Sequence, residues 1–246
     1  MTDVAGLINQ LPASKRTALM QRSVVRRLDK GESLFLTGEA TDRVHLVRSG
    51  VLKLCAHAGD GSEAIVALAV EGELIGEFPA LLGGPNPYDA VAITSCELLG
   101  FDGELLIKSL LSQPRTALGL VTAVAERSRW ACDSLIERTA GNAAARLAGR
   151  LLGLSELLGH RHGDTIDVPL LVPQEDLARL SGMCRENACK TLRSFKQAGV
   201  VDYSRRRLRI LRPDALERIR CAGRVSEPFR SADEAGSRRS RPIAGT

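Results

Sequence analysis

Between about Lys30 and Phe101 short apolar runs, LFL, VHLV, VLKLC, AIVALAV, AVAIT and CELLGF, alternate with glycines at 31, 38, 50, 59, 61, 72, 76, 83 and 84. Runs of this length, each closed by a turn-forming residue, predict a compact antiparallel barrel or roll. GDGSEA, at 59–64, has the composition of a hairpin turn. No repeat of fixed period is evident, and the spacing of the glycines does not suggest a solenoid.

Downstream the period changes. From Pro114 to Arg138, Leu118, Val121, Ala125, Ser128, Cys132 and Leu135 recur at alternating steps of three and four, a heptad seam. Such a stripe suits packing on the chain's own barrel or pairing with a second copy. Val124 and Ile136 add apolar surface beside the seam, which favours two contacts and therefore a dimer helix. A second helix carries Leu147, Leu151, Leu154 and Leu158 on one face and ends near Gly159 and the polar HRHGD segment. From residue 222 the chain is small, charged and proline-containing, the composition of a disordered basic tail. The division expected is a barrel over 1–113, a dimerisation helix over 114–138, a C-terminal domain over 139–221 and a tail over 222–246.

VPQEDLARLSGMCRENACKTLRSFKQAGVV has the order of a helix-turn-helix. Pro173 opens a short helix with acidic residues in its first turn, Leu177 and Leu180 supply its buried side, and Gly182 permits a tight turn. The second helix runs from about Cys184 toward Gly199. Advancing about 100° per residue places Arg185, Glu186, Cys189, Lys190 and Arg193 on one side, and Ala188, Thr191, Leu192 and Phe195 on the other. Arginine and lysine fork onto guanine in the major groove and glutamate accepts from cytosine, so the first set can read bases. YSRRRLRIL, with Arg205, Arg206 and Arg207 at a turn, has the form of a basic hairpin wing touching phosphates. Gln174, at the start of the first helix, joins these residues as a DNA contact.

Composition narrows the field. The chain of 246 residues is 44% hydrophobic and 26% charged, enough for two modest domains. A net charge of +5, with basic residues crowded into the last third, fits a polyanionic partner. The N-terminus lacks a signal-peptide pattern and no apolar run reaches the roughly eighteen residues of a membrane span, so a soluble cytoplasmic protein without a membrane partner is expected. Six cysteines are scattered without metal-ligand spacing, which argues against a disulfide framework and a metal site. GxSxG, HExxH and a phosphate loop are absent, so no catalytic residues and no enzyme are expected.

KGESLFLTGEATDRVHLVRSGVLKL, GELIGEFPALLGG and QEDLARLSGMCRENACKTL together resemble the CRP/FNR superfamily of bacterial transcription regulators, over about residues 20–220. The resemblance implies an α+β fold: an N-terminal double-stranded β-helix or jelly-roll barrel of cyclic-nucleotide-binding type, a long dimerisation helix, and a C-terminal winged helix-turn-helix. It implies a homodimer on double-stranded DNA, with RNA polymerase as a further partner if the protein activates. Arg185, Glu186 and Lys190 match the reading residues of cyclic-AMP-type members, which implies a palindrome with GTGA-like half-sites about 34 Å apart.

The pattern breaks at the effector. Gly76 and Glu77 match the family's ribose-holding pair and are the candidate effector contacts, although Glu77 also reads as a turn residue in a loop. The arginine expected for the cyclic phosphate is replaced by Tyr88-Asp89-Ala90, leaving a carboxylate nearby to repel a phosphate. Ala131 and Cys132 stand where small hydroxyl residues meet adenine. Cyclic AMP therefore fits poorly, and no cofactor is predicted. No cysteine precedes Cys55, against an iron-sulfur cluster, and His45 and His57 read as strand and loop residues rather than haem ligands. The alternative is a regulator of the same family answering to another ligand or to oxidation at Cys132, Cys184 or Cys189.

Overall fold

The computed structural model describes residues 3–57, 59, 63–140, 142–169, 172–204 and 207–222, with backbone alone at 134 and 137–140. Arg205, Arg206, residues 60–62 of the predicted turn and the tail beyond 222 lie outside the described residues. The order is α1 (Val4–Asn9), α2 (Ala13–Gln21), β1 (Val24–Leu28), β2 (Ser33–Phe35), β3 (Arg43–Ser49), β4 (Leu52–His57), β5 (Glu63–Ala69), β6 (Leu74–Ile75), α3 (Glu77–Leu82), β7 (Asp89–Ala92), β8 (Cys96–Asp102) and α4 (Gly103–Leu111). Then follow α5 (Pro114–Ala140), α6 (Ala143–Leu158), β9 (His160–His162), β10 (Thr165–Pro169), α7 (Gln174–Leu180), α8 (Arg185–Gln197), β11 (Val201–Tyr203), β12 (Arg207–Ile210) and α9 (Pro213–Ala222).

Two four-stranded antiparallel sheets, β1-β8-β3-β6 and β2-β7-β4-β5, form the barrel. Leu28, Leu52, Leu54, Ala69, Ile75 and Leu98 fill the space between them. Outer faces are covered as well, which explains the continuous apolar runs where an exposed sheet would alternate. Leu52 and Leu54 of β4 point into the barrel, whereas Val51 and Cys55 join a second core with Leu147, Leu151, Leu177 and Leu192 of the C-terminal domain. On the other sheet, Val44, Leu99 and Phe101 pack against Val4, Ile8, Leu106 and Leu120.

β1 was not legible as a strand. Its VVRRL stretch precedes the punctuated region, and its two valines are about half exposed at a sheet edge. His57, expected in a loop, is the last residue of β4 and pairs in register with Glu63. His45 is a buried residue of β3, as expected, and burial, reinforced by Arg43 and Arg26, lowers its pKa to about 4.

The 27 residues of α5 span about 40 Å. Leu120 and Ala123 face the barrel core. Leu118, Val121, Ala125, Ser128, Cys132 and Leu135 all lie exposed, so the seam does not pack on its own barrel. Asn142 caps α6, its side chain accepting a hydrogen bond from the Ala145 amide at 2.9 Å. The C-terminal domain closes with the sheet β11-β12-β10-β9.

An ionic cluster joins barrel to helix-turn-helix. Lys53 of β4 contacts Glu63 of β5 at 2.7 Å and Asp176 of α7 at 3.4 Å, and Arg179 reaches Glu63 at 3.2 Å. Burial alone would lower the Lys53 pKa, yet the hydrogen bond to Glu63 and the charge of Asp176 raise it above the usual lysine value. Glu63 is lowered by its Lys53 contact against the opposing effect of burial. No described helix is long and apolar enough to cross a membrane.

Candidate nucleic-acid interface and barrel cavity

α7 and α8 are held at a fixed angle by their shared core. Leu177 and Leu180 of α7 and Ala188, Leu192 and Phe195 of α8 are buried. The turn between them depends on Gly182, whose φ of +60 lies in the left-handed region that favours glycine. Gln174 Oε1 accepts a hydrogen bond from the Cys189 thiol at 3.5 Å, tying the two helices together on the polar side. Arg185, Glu186, Lys190 and Arg193 stand exposed on the outer face of α8, on the side opposite its core residues. Among the described residues, Arg185, Lys190 and Arg193 enter no ion pair, so their charge is presented outward.

The hairpin of β11 and β12 forms the predicted wing, with its tip outside the described residues. Arg207 is less available than the sequence implied, being paired with Asp167 of β10, which also accepts from Arg209 Nε at 2.6 Å. Those arginines, Arg209 first, hold the Asp167 carboxyl far below the usual carboxylate range. The Arg207 side chain remains 58% exposed, so a phosphate contact there would share the guanidinium with Asp167.

The barrel holds a cavity of about 250 Å³ between β4, β5, α3 and α5. Leu54, Val66, Phe78, Tyr88 and Val124 make most of its wall apolar. Glu77 is not a loop residue: it is buried at the start of α3, after Gly76. Gly76 has φ +83, and a Cβ there would lie 2.9 Å from the Arg43 carbonyl oxygen, so glycine is required. Arg127 of α5, which the sequence reading did not single out, pairs with Glu77 Oε1 and donates to the Leu74 carbonyl at 2.7 Å. Its signal was present: Leu120, Ala123, Arg127 and Trp130 recur at helical spacing on the face of α5 opposite the seam.

Asp89 does not line the cavity as the sequence had implied. Its carboxylate accepts from the Thr37 amide at 2.6 Å and lies 2.7 Å from His57 Nε2. Tyr88, the preceding residue, projects inward instead, stacked edge-on against Phe78 at 5.9 Å, as strand alternation requires. Burial and the nearby Glu77 charge push its phenol up, so it stays protonated. Among the described residues no group of side chains could hold a metal ion, and burial raises the Cys55 thiol to about 12, leaving it unreactive.

Residues 25–113 match the cyclic nucleotide-binding domain and residues 145–219 the Crp-like helix-turn-helix domain. A cyclic AMP receptor protein of Thermus thermophilus is 32% identical over 182 residues, covering 72% of this chain and 79% of that protein. This chain belongs to the CRP/FNR superfamily. A CRP-like cAMP-activated global transcriptional regulator of Mycobacterium tuberculosis is 27% identical over 195 residues, covering 79% of this chain and 87% of that one. The structure of FixK2 from Bradyrhizobium japonicum superposes with a TM-score of 0.70 at 20% identity, covering 80% of this chain and 96% of that one, a likeness of fold. In this CRP/FNR chain α8 is thus the second helix of the family's helix-turn-helix, and the cavity lies within the domain that matches the cyclic-nucleotide-binding model.

Proposed function

We propose that this CRP/FNR-type transcription regulator works as a homodimer on palindromic DNA with GTGA-like half-sites, reads them through Arg185, Glu186 and Lys190, and does so without cyclic AMP. The observation that carries the reading is the outward face of α8, where uncommitted cations and one carboxylate stand above the buried Ala188, Leu192 and Phe195. Arg193, Gln174 and the wing arginines, Arg205 and Arg206 with Arg207, contribute phosphate contacts that set affinity and salt dependence. The exposed apolar seam on α5 supports dimerisation. The protein has no catalytic role, acts in the cytoplasm, and meets RNA polymerase only if it activates.

The cavity residues do not fit a cyclic nucleotide. Arg127 is the cation among the described lining residues, and its guanidinium is already engaged by Glu77 and the Leu74 carbonyl. Glu77 pairs with Arg127 through Oε1 and its Oε2 is fully buried, so neither oxygen is open to a ribose hydroxyl. Tyr88 brings an aromatic ring where the family's cyclic-AMP binders bring a cation for the phosphate.

Selection of a randomised duplex pool, with and without cyclic AMP, tests the proposal. Enrichment of a GTGA-containing palindrome without nucleotide is expected; enrichment only with nucleotide, or none, refutes it. Arg185→Ala should cost about 1–3 kcal/mol on the selected duplex and relax preference at one base pair. Equal losses on selected and random duplexes would remove Arg185 from base reading.

A further inference from the structure

We propose that Lys53 and Glu63 of the barrel, with Asp176 and Arg179 of α7, are positioning residues that set which spacing between half-sites the protein accepts. This rests on reading the chain as a dimer on paired half-sites.

Two attachments hold the reading head to the barrel. One is covalent: α5 ends at Ala140 and α6 begins at Ala143, so two residues connect the seam-bearing helix to the C-terminal domain. A junction this short, used alone, is a hinge about which a domain can turn. The other attachment joins residues far apart in the chain. Lys53 of β4 meets Asp176 at 3.4 Å and Glu63 of β5 meets Arg179 at 3.2 Å, so two ion pairs cross from sheet to helix. Beside them Cys55 and Ile65 share a core with Leu177 and Leu180 of α7. The Lys53 and Asp176 side chains are 11% and 10% exposed, which makes this a buried junction rather than a surface encounter. A domain held at both points cannot turn about the first without parting charges at the second, and stranding charges in a dehydrated junction is costly.

Fixing α7 fixes α8. Leu177 and Leu180 belong to one core with Leu192 and Phe195, Gln174 accepts from the Cys189 thiol, and Arg146 Nε of α6 donates to the Ser181 carbonyl beside the turn at 3.1 Å. The cluster therefore acts through α7 on where Arg185, Glu186 and Lys190 point. Lengthening the DNA between half-sites by one base pair moves the second half-site by about 3.4 Å and turns it by about 34°. Two rigid heads meet that change only by twisting the duplex, at an elastic cost. A head freed at α7 turns to follow it. Base preference inside a half-site depends on the face of α8 and is untouched.

Asp176→Asn with Arg179→Gln removes both crossing pairs and leaves Lys53 beside Glu63 at 2.7 Å, neutralised within the barrel, so the fold is expected to survive. Binding of the full-length protein is measured on duplexes carrying two selected half-sites, with the spacer varied by one and two base pairs in each direction. The native chain should favour its best spacer over the neighbouring ones by at least about tenfold, and the double variant by about threefold or less. Both should rank single-base changes inside a half-site alike. Lys53→Met with Arg179→Gln, which leaves Glu63 and Asp176 as two facing carboxylates, should relax the spacing further. Val44→Ala, a buried truncation in the other sheet, should lose stability and keep the native spacing. A native chain indifferent to spacing, unchanged selectivity in both double variants, equal relaxation in Val44→Ala, or loss of binding at every spacing would overturn the assignment. A native chain that selects no paired half-sites refutes the dimeric reading itself, whatever the variants do.

Discussion

Replacing Lys53 by methionine keeps the aliphatic stem and removes the charge from the cluster that fastens α7 to the barrel. The Lys53, Glu63 and Asp176 side chains are 11%, 21% and 10% exposed, so the cluster lies much nearer the buried limit than the exposed one. Breaking a buried ion pair by deleting one partner costs about 3–5 kcal/mol, against about 0–1 for an exposed pair. Arg179 stays within 3.2 Å of Glu63 and 3.6 Å of Asp176 and compensates in part. The expected loss at neutral pH is therefore about 2–3 kcal/mol, read by urea unfolding, with faster hydrogen exchange in α7 and β5. Because the folded pKa of Lys53 is raised, its stabilisation is fully present below the unfolded value of about 10.4 and lost as pH rises through the folded value. Glu63 is lowered, so its contribution is present above about 4.3 and lost as pH falls through its folded pKa. The difference between Lys53→Met and the native chain should then shrink at acid pH. A loss under about 0.5 kcal/mol at neutral pH, the level of an ordinary surface change, would refute the role assigned to the cluster, as would a penalty independent of pH.

Phe195→Ala should destabilise the C-terminal domain by about 3–5 kcal/mol, because it empties the core that sets the angle of α8; thermal unfolding checks this. Leu118→Glu combined with Val121→Glu should halve the mass in sedimentation velocity with helicity retained, whereas an unchanged mass would place the dimer contact elsewhere. Gly76→Ala should cost about 1–3 kcal/mol in urea unfolding, since the added methyl meets the Arg43 carbonyl and the backbone must keep a positive φ.

Much of the candidate DNA-reading surface was legible because its layout depends on neighbours in sequence. Arg185, Glu186, Lys190 and Arg193 fall on one side of α8 by helical period alone, and Gly182 marks its own turn. The wing was less legible at Arg207, because Asp167, forty positions earlier, becomes its partner only when β10 and β12 pair. The same holds in the barrel. Asp89 and Tyr88 are adjacent in sequence, yet strand alternation sends the tyrosine inward and the carboxylate to Thr37 and His57.

Short-range pattern was enough for the order of parts: glycine-punctuated strands, a heptad-bearing helix, then two helices about a glycine turn. Each of these rests on residues close together in sequence. Which face of α5 meets the barrel, what Glu77 pairs with, and how Lys53 and Asp176 come together across 123 positions are long-range matters. They follow from how the sheets stack and what they leave exposed, because charges and cavities are made by elements that period and composition place in order but not in contact.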